Sequence, residues 1–278
     1  MDLPRPPYRV ALVGAGRVGV AVCTLLAERG HEIVAVASRS EESAAAAAGR
    51  LGSRVAEPGD ADLILAAVPE PALAEVVAGL SSEAPVIHFA GVVGVEPFRR
   101  GSARVLALHP VQACPDVDTA IARLPGCAWG VTCDAEARDW AHAFVRDLGG
   151  HPVDVAEDDR AAWHAAAVAT SNGIAALMAT GESILATLGI ERPERVLGPI
   201  ASATVANARA SGGGAATLTG PVVRGEADTV GRHLAALRSQ PELLAAYIQI
   251  ARVIVSGARR SGRVDPDALA RIEEVLSA

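Results

Sequence analysis

Arg9-Val10-Ala11-Leu12-Val13-Gly14-Ala15-Gly16-Arg17-Val18-Gly19 decides the fold. An apolar strand pattern runs into glycines spaced G-x-G-x-x-G, and a helical pattern follows at once. Each glycine then has a physical task. Gly14 makes the tight turn, Gly16 lets backbone approach a pyrophosphate, and Gly19 lets the helix lie close to the strand. The helix start offers free N–H groups and the positive end of its dipole to phosphates. Ala15, Arg17 and Val18 complete the cofactor-binding stretch. Strand, loop and helix in this order predict a dinucleotide site rather than a plain glycine turn.

Working outward, a second strand over Glu32–Ala37 ends in Ser38-Arg39-Ser40. A site for NAD usually carries Asp or Glu there, on the ribose 2′-OH. A 2′-phosphate is repelled by such an acid and held by arginine and hydroxyls. Arg39 between two serines therefore predicts NADP(H). Ser40 also suits the cap of the next helix, with Glu41 and Glu42 in its first turn. The two roles are compatible.

Strand and helix patterns alternate through the first half. They place a helix over 41–51, a buried strand over 62–68 stopped by Pro69, and a helix over 71–80. Strands follow at 86–89 and 104–108, and a strand–helix–strand unit spans 128–132, 135–148 and 152–155. This alternation predicts an α/β doubly wound, mostly parallel Rossmann sheet. After about Ala156 the patterns are helical only, at 158–188, 193–210, 226–239, 241–261 and 265–277. The division expected is a dinucleotide-binding domain over 1–155 and a smaller all-α substrate and dimerisation domain over 156–278.

Half of the residues are apolar, which allows a sizeable core. A net charge of −7 argues against a nucleic-acid surface. Cys23, Cys114, Cys127 and Cys133 lack paired metal spacing, so no metal and free cytoplasmic thiols are expected. The first residues carry no long apolar run and do not read as a signal peptide. The apolar window 161–190 holds His164, Asn172 and Glu182, and reads as a bundle helix rather than a membrane span. The chain has no lysine, and all 25 of its Lys-plus-Arg positions are arginine. That excludes Schiff-base, P-loop and lysine acid/base chemistry. Any proton donor must be His, Asp, Glu, Tyr, Cys, Ser, Thr or water.

Ligands of an open α/β sheet gather at the carboxyl ends of its strands. Val68 and Pro69 end one strand beside the expected cofactor, unless the proline only stops the strand. His88-Phe89-Ala90-Gly91 ends another, where Gly91 would admit a nicotinamide and His88 reads as packed core. His109-Pro110-Val111-Gln112 ends a third. His109 and Gln112 are substrate candidates there, with a plain turn as the alternative for His109. On the helix that opens the second half, His164, Val168 and Ser171 share one face, with Asn172 slightly off it, and His164, Ser171 and Asn172 join His109 as the candidate catalytic residues. Histidine titrates near neutrality, which makes His164 the candidate general acid, with a structural histidine as the alternative. Leu218-Thr219-Gly220-Pro221 leads to Arg224. Thr219 and Gly220 are further substrate candidates. Arg224 either holds a substrate carboxylate or pairs with Asp228 one turn on.

Taken together, the glycine motif, His109-Pro110, His164-Ala165-Ala166-Ala167 with Ser171-Asn172, and Leu218-Thr219-Gly220-Pro221 with Arg224-Gly225 resemble one bacterial family. Its members join a Rossmann-like N-terminal domain to a helical C-terminal domain of unknown function, and are provisionally described as NADP oxidoreductases. The family is similar in architecture to pyrroline-5-carboxylate reductase and ketopantoate reductase. The resemblance covers nearly the whole chain and implies a homodimer built through the C-terminal helices. Two positions depart from it. Ala90 stands where members often carry a hydroxyl residue, and the lysine of ketopantoate reductases is missing. The expected activity is NADPH-dependent reduction of a C=O or C=N bond in a small carboxylated metabolite. The alternatives are a non-catalytic NADP-binding sensor and an NADP-dependent dehydrogenase working in the oxidative direction.

Overall fold

The computed structural model describes residues 3–101, 104–262 and 264–277. It divides into two compact units, 1–168 and 169–278. The first unit holds β1 (Arg9–Val13), α1 (Arg17–Glu28), β2 (Glu32–Ala37), α2 (Glu41–Leu51), β3 (Leu63–Ala66), α3 (Glu70–Ala78), β4 (Val86–His88), β5 (Val105–Pro110), α4 (Val117–Arg123), β6 (Ala128–Thr132), α5 (Arg138–Asp147) and β7 (His151–Asp154). It also takes the first turns of α6 (Arg160–Ala186), because the division falls inside that helix.

The strands form one sheet in the order β2-β1-β3-β4-β5-β6-β7. The five from β2 to β5 are parallel, β6 runs against β5, and β7 runs parallel to β6. This is the expected mostly parallel, doubly wound sheet. β3 reads Leu-Ile-Leu-Ala with every residue buried, as befits a strand covered on both faces. Apolar side chains from β1, β3, β5 and β6 meet α1 and α5 in one core that includes Leu12, Leu26, Leu65, Leu108, Trp129 and Phe144. Antiparallel β6 needs no crossover, since its register sets Pro110 opposite Trp129 at the carboxyl end of β5. The connection still contains α4, a short helix absent from the sequence reading. Asp116 caps it, accepting the Thr119 N–H at 2.7 Å.

The second unit continues α6 and adds α7 (Pro193–Ala210), α8 (Ala227–Ala236), α9 (Pro241–Ser261) and α10 (Pro266–Ser277). Val230, Ala251, Val255, Leu269, Ile272 and Leu276 form its core from α8, α9 and α10. No described helix is long and apolar enough to cross a membrane.

Candidate active site at the carboxyl edge of the sheet

Two clusters occupy the carboxyl edge of the parallel strands. The first is built by the glycine loop. Gly14 has φ +88°, and its N–H bonds to the Ala37 carbonyl at the end of β2. On the other side the loop touches the end of β3. A Cβ on Gly16 would lie 2.6 Å from the Ala67 carbonyl oxygen, and one on Gly19 would lie 2.2 Å from the Ala67 side chain. The glycines thus draw α1 against the end of β3, with Gly14 beside Ala67 and Val68 and with Gly16 and Gly19 against Ala67. The N-terminus of α1 has no side-chain cap and no acid in its first turn. By contrast, α2 begins with the Ser40 hydroxyl accepting the Ser43 N–H, followed by Glu41 and Glu42. The start of α1 is therefore fitted to receive an anion.

Ser38, Arg39 and Ser40 follow β2 directly. Arg39 is exposed and, among the described residues, makes no hydrogen bond or ion pair. Arg17 instead donates to the Pro115 carbonyl at 2.7 Å, which ties the loop after β5 to α1. Free N–H groups at the start of α1 fit a pyrophosphate, and the unpaired guanidinium after β2 fits a 2′-phosphate.

The second cluster forms where the first turns of α6 reach the ends of β4, β5 and β6. Arg160 is fully buried. Its guanidinium donates to the Thr132 hydroxyl at 2.9 Å and to the Ala90 carbonyl at 2.6 Å, while its Nε has no partner among the described residues. Thr132 in turn donates to the Val155 carbonyl. Burial lowers the Arg160 guanidinium to about 10, opposed by the charges of Glu157 and Glu70. Neither carboxylate forms an ion pair with it. Glu157 instead accepts the N–H groups of Val95 and Glu96 at 2.9 and 3.1 Å. His88, buried in β4, bonds through Nε2 to the Gly94 carbonyl. Arg160, Glu157 and His88 thus fix the loop after β4 from three sides.

His109 and His164 meet at this place, with ring centroids 5.3 Å apart. The Trp163 indole donates to His109 Nδ1 at 3.1 Å. His164 lies against Gly91, where a Cβ would come within 2.2 Å of its Nδ1. That nitrogen is buried and has no partner among the described residues. His109 is held well below the ordinary histidine range, at about 4, by burial first and then by the charges of His164 and Arg160. The thiols do not compete as nucleophiles. Burial raises all four cysteines, Cys127 and Cys133 to about 11.

Of the residues read from the sequence, the structure brings together the glycine loop with Ser38–Ser40 and Val68–Pro69, and separately Gly91, His109 and His164. Gly91 gives its open space to the His164 ring. Gln112 folds onto its own neighbourhood, bonding to Ala113 N–H and the Arg123 carbonyl. Ser171 and Asn172 lie further along α6, in the second unit. Thr219, Gly220 and Arg224 also belong to that unit, where 221–225 forms turns and α8 starts only at Ala227. Arg224 pairs with Glu226 at 2.6 Å rather than with Asp228. Sequence reasoning missed Trp163, Arg160, Glu157 and Gly130. Gly130 carried a signal, since glycine inside a strand marks close approach. A Cβ there would lie 2.6 Å from the Trp163 indole nitrogen.

Residues 1–110 match the model of a Rossmann-like domain, and residues 127–254 match that of a domain of unknown function, DUF2520. No curated protein matches the sequence. Among solved structures the fold is similar to a provisionally assigned NADP oxidoreductase from Bacteroides fragilis, with TM-score 0.74 and 23% identity over 89% of this chain and 97% of that one. It is also similar to 1-pyrroline-5-carboxylate reductase from Streptococcus pyogenes, with TM-score 0.62 and 17% identity over 98% and 99% of the two chains. An imine reductase from Myxococcus stipitatus in complex with NADP+ gives TM-score 0.62 and 17% identity over 95% and 99%.

Proposed function

We propose that this chain, a Rossmann-like domain joined to DUF2520, is an NADPH-dependent reductase acting on a C=O or C=N bond of a small carboxylated metabolite. The observation that carries the reading is the uncapped, acid-free start of α1 together with an exposed, unpaired Arg39 just after β2. It suits a dinucleotide with a 2′-phosphate. When bound, NADPH supplies the hydride. The names of the similar proteins, an NADP oxidoreductase and two reductases, agree with this reading.

The chain's own residues supply the rest. Backbone N–H groups of α1 bind the pyrophosphate, and Ser38, Arg39 and Ser40 bind the 2′-phosphate. His109 orients the reacting group, and His164 or water delivers the proton. Ser171 and Asn172 remain our further catalytic candidates, and Thr219, Gly220 and Arg224 our candidates for substrate contacts. A second copy of the chain is the partner we favour for α6 and α7. Leu177, Val196 and Ile200 are more than half exposed there in the single chain, an apolar surface suited to burial in a homodimer. The free thiols fit a reducing cytoplasm.

Fluorescence titration with NADPH and NADH tests the cofactor. Loss of absorbance at the reduced nicotinamide band, against a panel of 2-oxo acids and cyclic imines, tests turnover. Tighter binding of NADH than NADPH, or NADPH binding without turnover of any panel member, refutes the proposal.

A further inference from the structure

The hydrogen bond between Trp163 and His109 decides more than a packing contact. An indole N–H can only donate. His109 Nδ1 therefore presents its lone pair to Trp163, and a neutral ring must carry its single proton on Nε2. Protonating Nδ1 would set two N–H groups head to head across 3.1 Å. Trp163 is itself held by the bare backbone of Gly130, which leaves room for the indole. The charged groups that act on the ring point the same way: the Arg160 guanidinium and His164 both oppose a proton on it. The carboxylates of Glu157 and Glu70 act on Arg160 without pairing with it, and Glu157 is taken up by two backbone N–H groups.

We infer that Trp163 is a positioning residue that holds His109 as a neutral Nε2–H donor, and that the site takes a carbonyl compound rather than a protonated imine. The second half rests on the reductase reading. A carbonyl oxygen has lone pairs to accept the Nε2–H, whereas a protonated imine nitrogen has none. Charge argues likewise. Adding hydride to a carbonyl forms a C–H bond, breaks the C=O π bond and leaves the electron pair on oxygen. A proton from water or His164 then completes the alcohol, while the dihydronicotinamide that gave the hydride becomes the oxidised pyridinium. Negative charge thus develops in the field of a buried guanidinium and of the His109 Nε2–H donor, which stabilises it. A protonated imine would bring positive charge toward Arg160 and would lose it in the reaction, so the same field opposes its binding.

Long-range proton–nitrogen correlation spectra of the full chain, with nitrogen-15 histidine, test the first half. His109 is assigned by its absence in His109→Gln. We expect the Nε2–H tautomer at pH 7, neutral to below pH 5. In Trp163→Phe a population with Nδ1–H should appear and the titration should move upward by at least one pH unit. A wild-type His109 protonated at Nδ1 at pH 7 overturns the assignment without need of the variant. The second half is tested on NADPH-saturated protein with 2-oxo acids and the permanently cationic N-methyl-1-pyrrolinium. We expect kcat/KM at least tenfold higher for the carbonyl compounds. We also expect a loss of at least tenfold in kcat for Trp163→Phe, with NADPH affinity unchanged. Faster reduction of the iminium overturns the substrate class alone. Reduction of neither overturns the reductase reading and the substrate class with it, while the spectra still judge the tautomer.

Discussion

Acidification should loosen the sheet unit through His88, and the size of the effect follows from its surroundings. The ring is fully buried at the end of β4. Its Nε2 bonds to the Gly94 carbonyl at 3.0 Å, and its Nδ1 accepts the Ala90 N–H at 3.3 Å. Both nitrogens are therefore occupied in the neutral form. Burial lowers the ring to about 4, with the Arg160 charge in support and the Gly94 bond opposing. An unfolded histidine takes up its proton near pH 6.5. Between these values the unfolded chain binds more protons than the folded one. Stability is then full above about pH 7 and falls as the pH drops toward about 4. The loss from His88 is about 2 kcal/mol at pH 5 and about 3 kcal/mol at pH 4. His109, also lowered to about 4, adds a smaller amount because it is partly exposed. Urea unfolding followed by tryptophan fluorescence reads this directly, since Trp129, Trp140 and Trp163 all belong to the first unit. His88→Gln should be less stable at pH 7.5, yet its stability should fall by about 2 kcal/mol less than wild type between pH 7.5 and 5. Equal pH dependence in the two proteins refutes the reasoning.

Three further outcomes are expected. Gly91→Ala should turn the His164 ring out of its place against the loop, since the new methyl would lie 2.2 Å from Nδ1. A stability loss of about 1–3 kcal/mol in thermal unfolding, together with a changed His164 resonance, checks it. Arg39→Ala should weaken NADPH binding by about 10–100-fold and leave NADH binding unaltered, as measured by fluorescence titration. Glu157→Gln should weaken two charge-assisted bonds to the Val95 and Glu96 N–H groups. Faster amide exchange at those two residues, with β1 and β3 unaffected, is the expected reading.

How much of this was legible in the sequence depended on how local its cause is. The strands 32–37 and 128–132 and the helices 41–51, 193–210 and 241–261 have the bounds read from sequence. Their ends are set by neighbouring residues, namely the Ser40 cap and the prolines at the first positions of α7 and α9. The short α4 was missed because two turns give too little periodicity, and its Asp116 cap reads equally as a turn. The reversal of β6 was missed because a buried strand's pattern does not record its direction. Arg224 was set against Asp228 on the assumption of helical spacing, but the backbone there turns instead, which puts Glu226 in reach. His109, His164 and Gly91 were each read singly. Nothing in the order of residues says that they meet.

What joins them is the direction in which α6 leaves the sheet. A guanidinium is costly to bury without a carboxylate, and an isolated chain would keep Arg160 in water. Here two acceptors from different strands receive it, the Thr132 hydroxyl of β6 and the Ala90 carbonyl after β4. Those two bonds can form together only if the first turn of α6 lies across both strand ends. Once that turn is fixed, the helical repeat sets Trp163 one turn further, over Gly130, and His164 beside Gly91. The Trp163 indole then meets His109 near the end of β5. The buried charge therefore acts as the pin that registers the helix on the sheet, and the imidazole pair follows from that register.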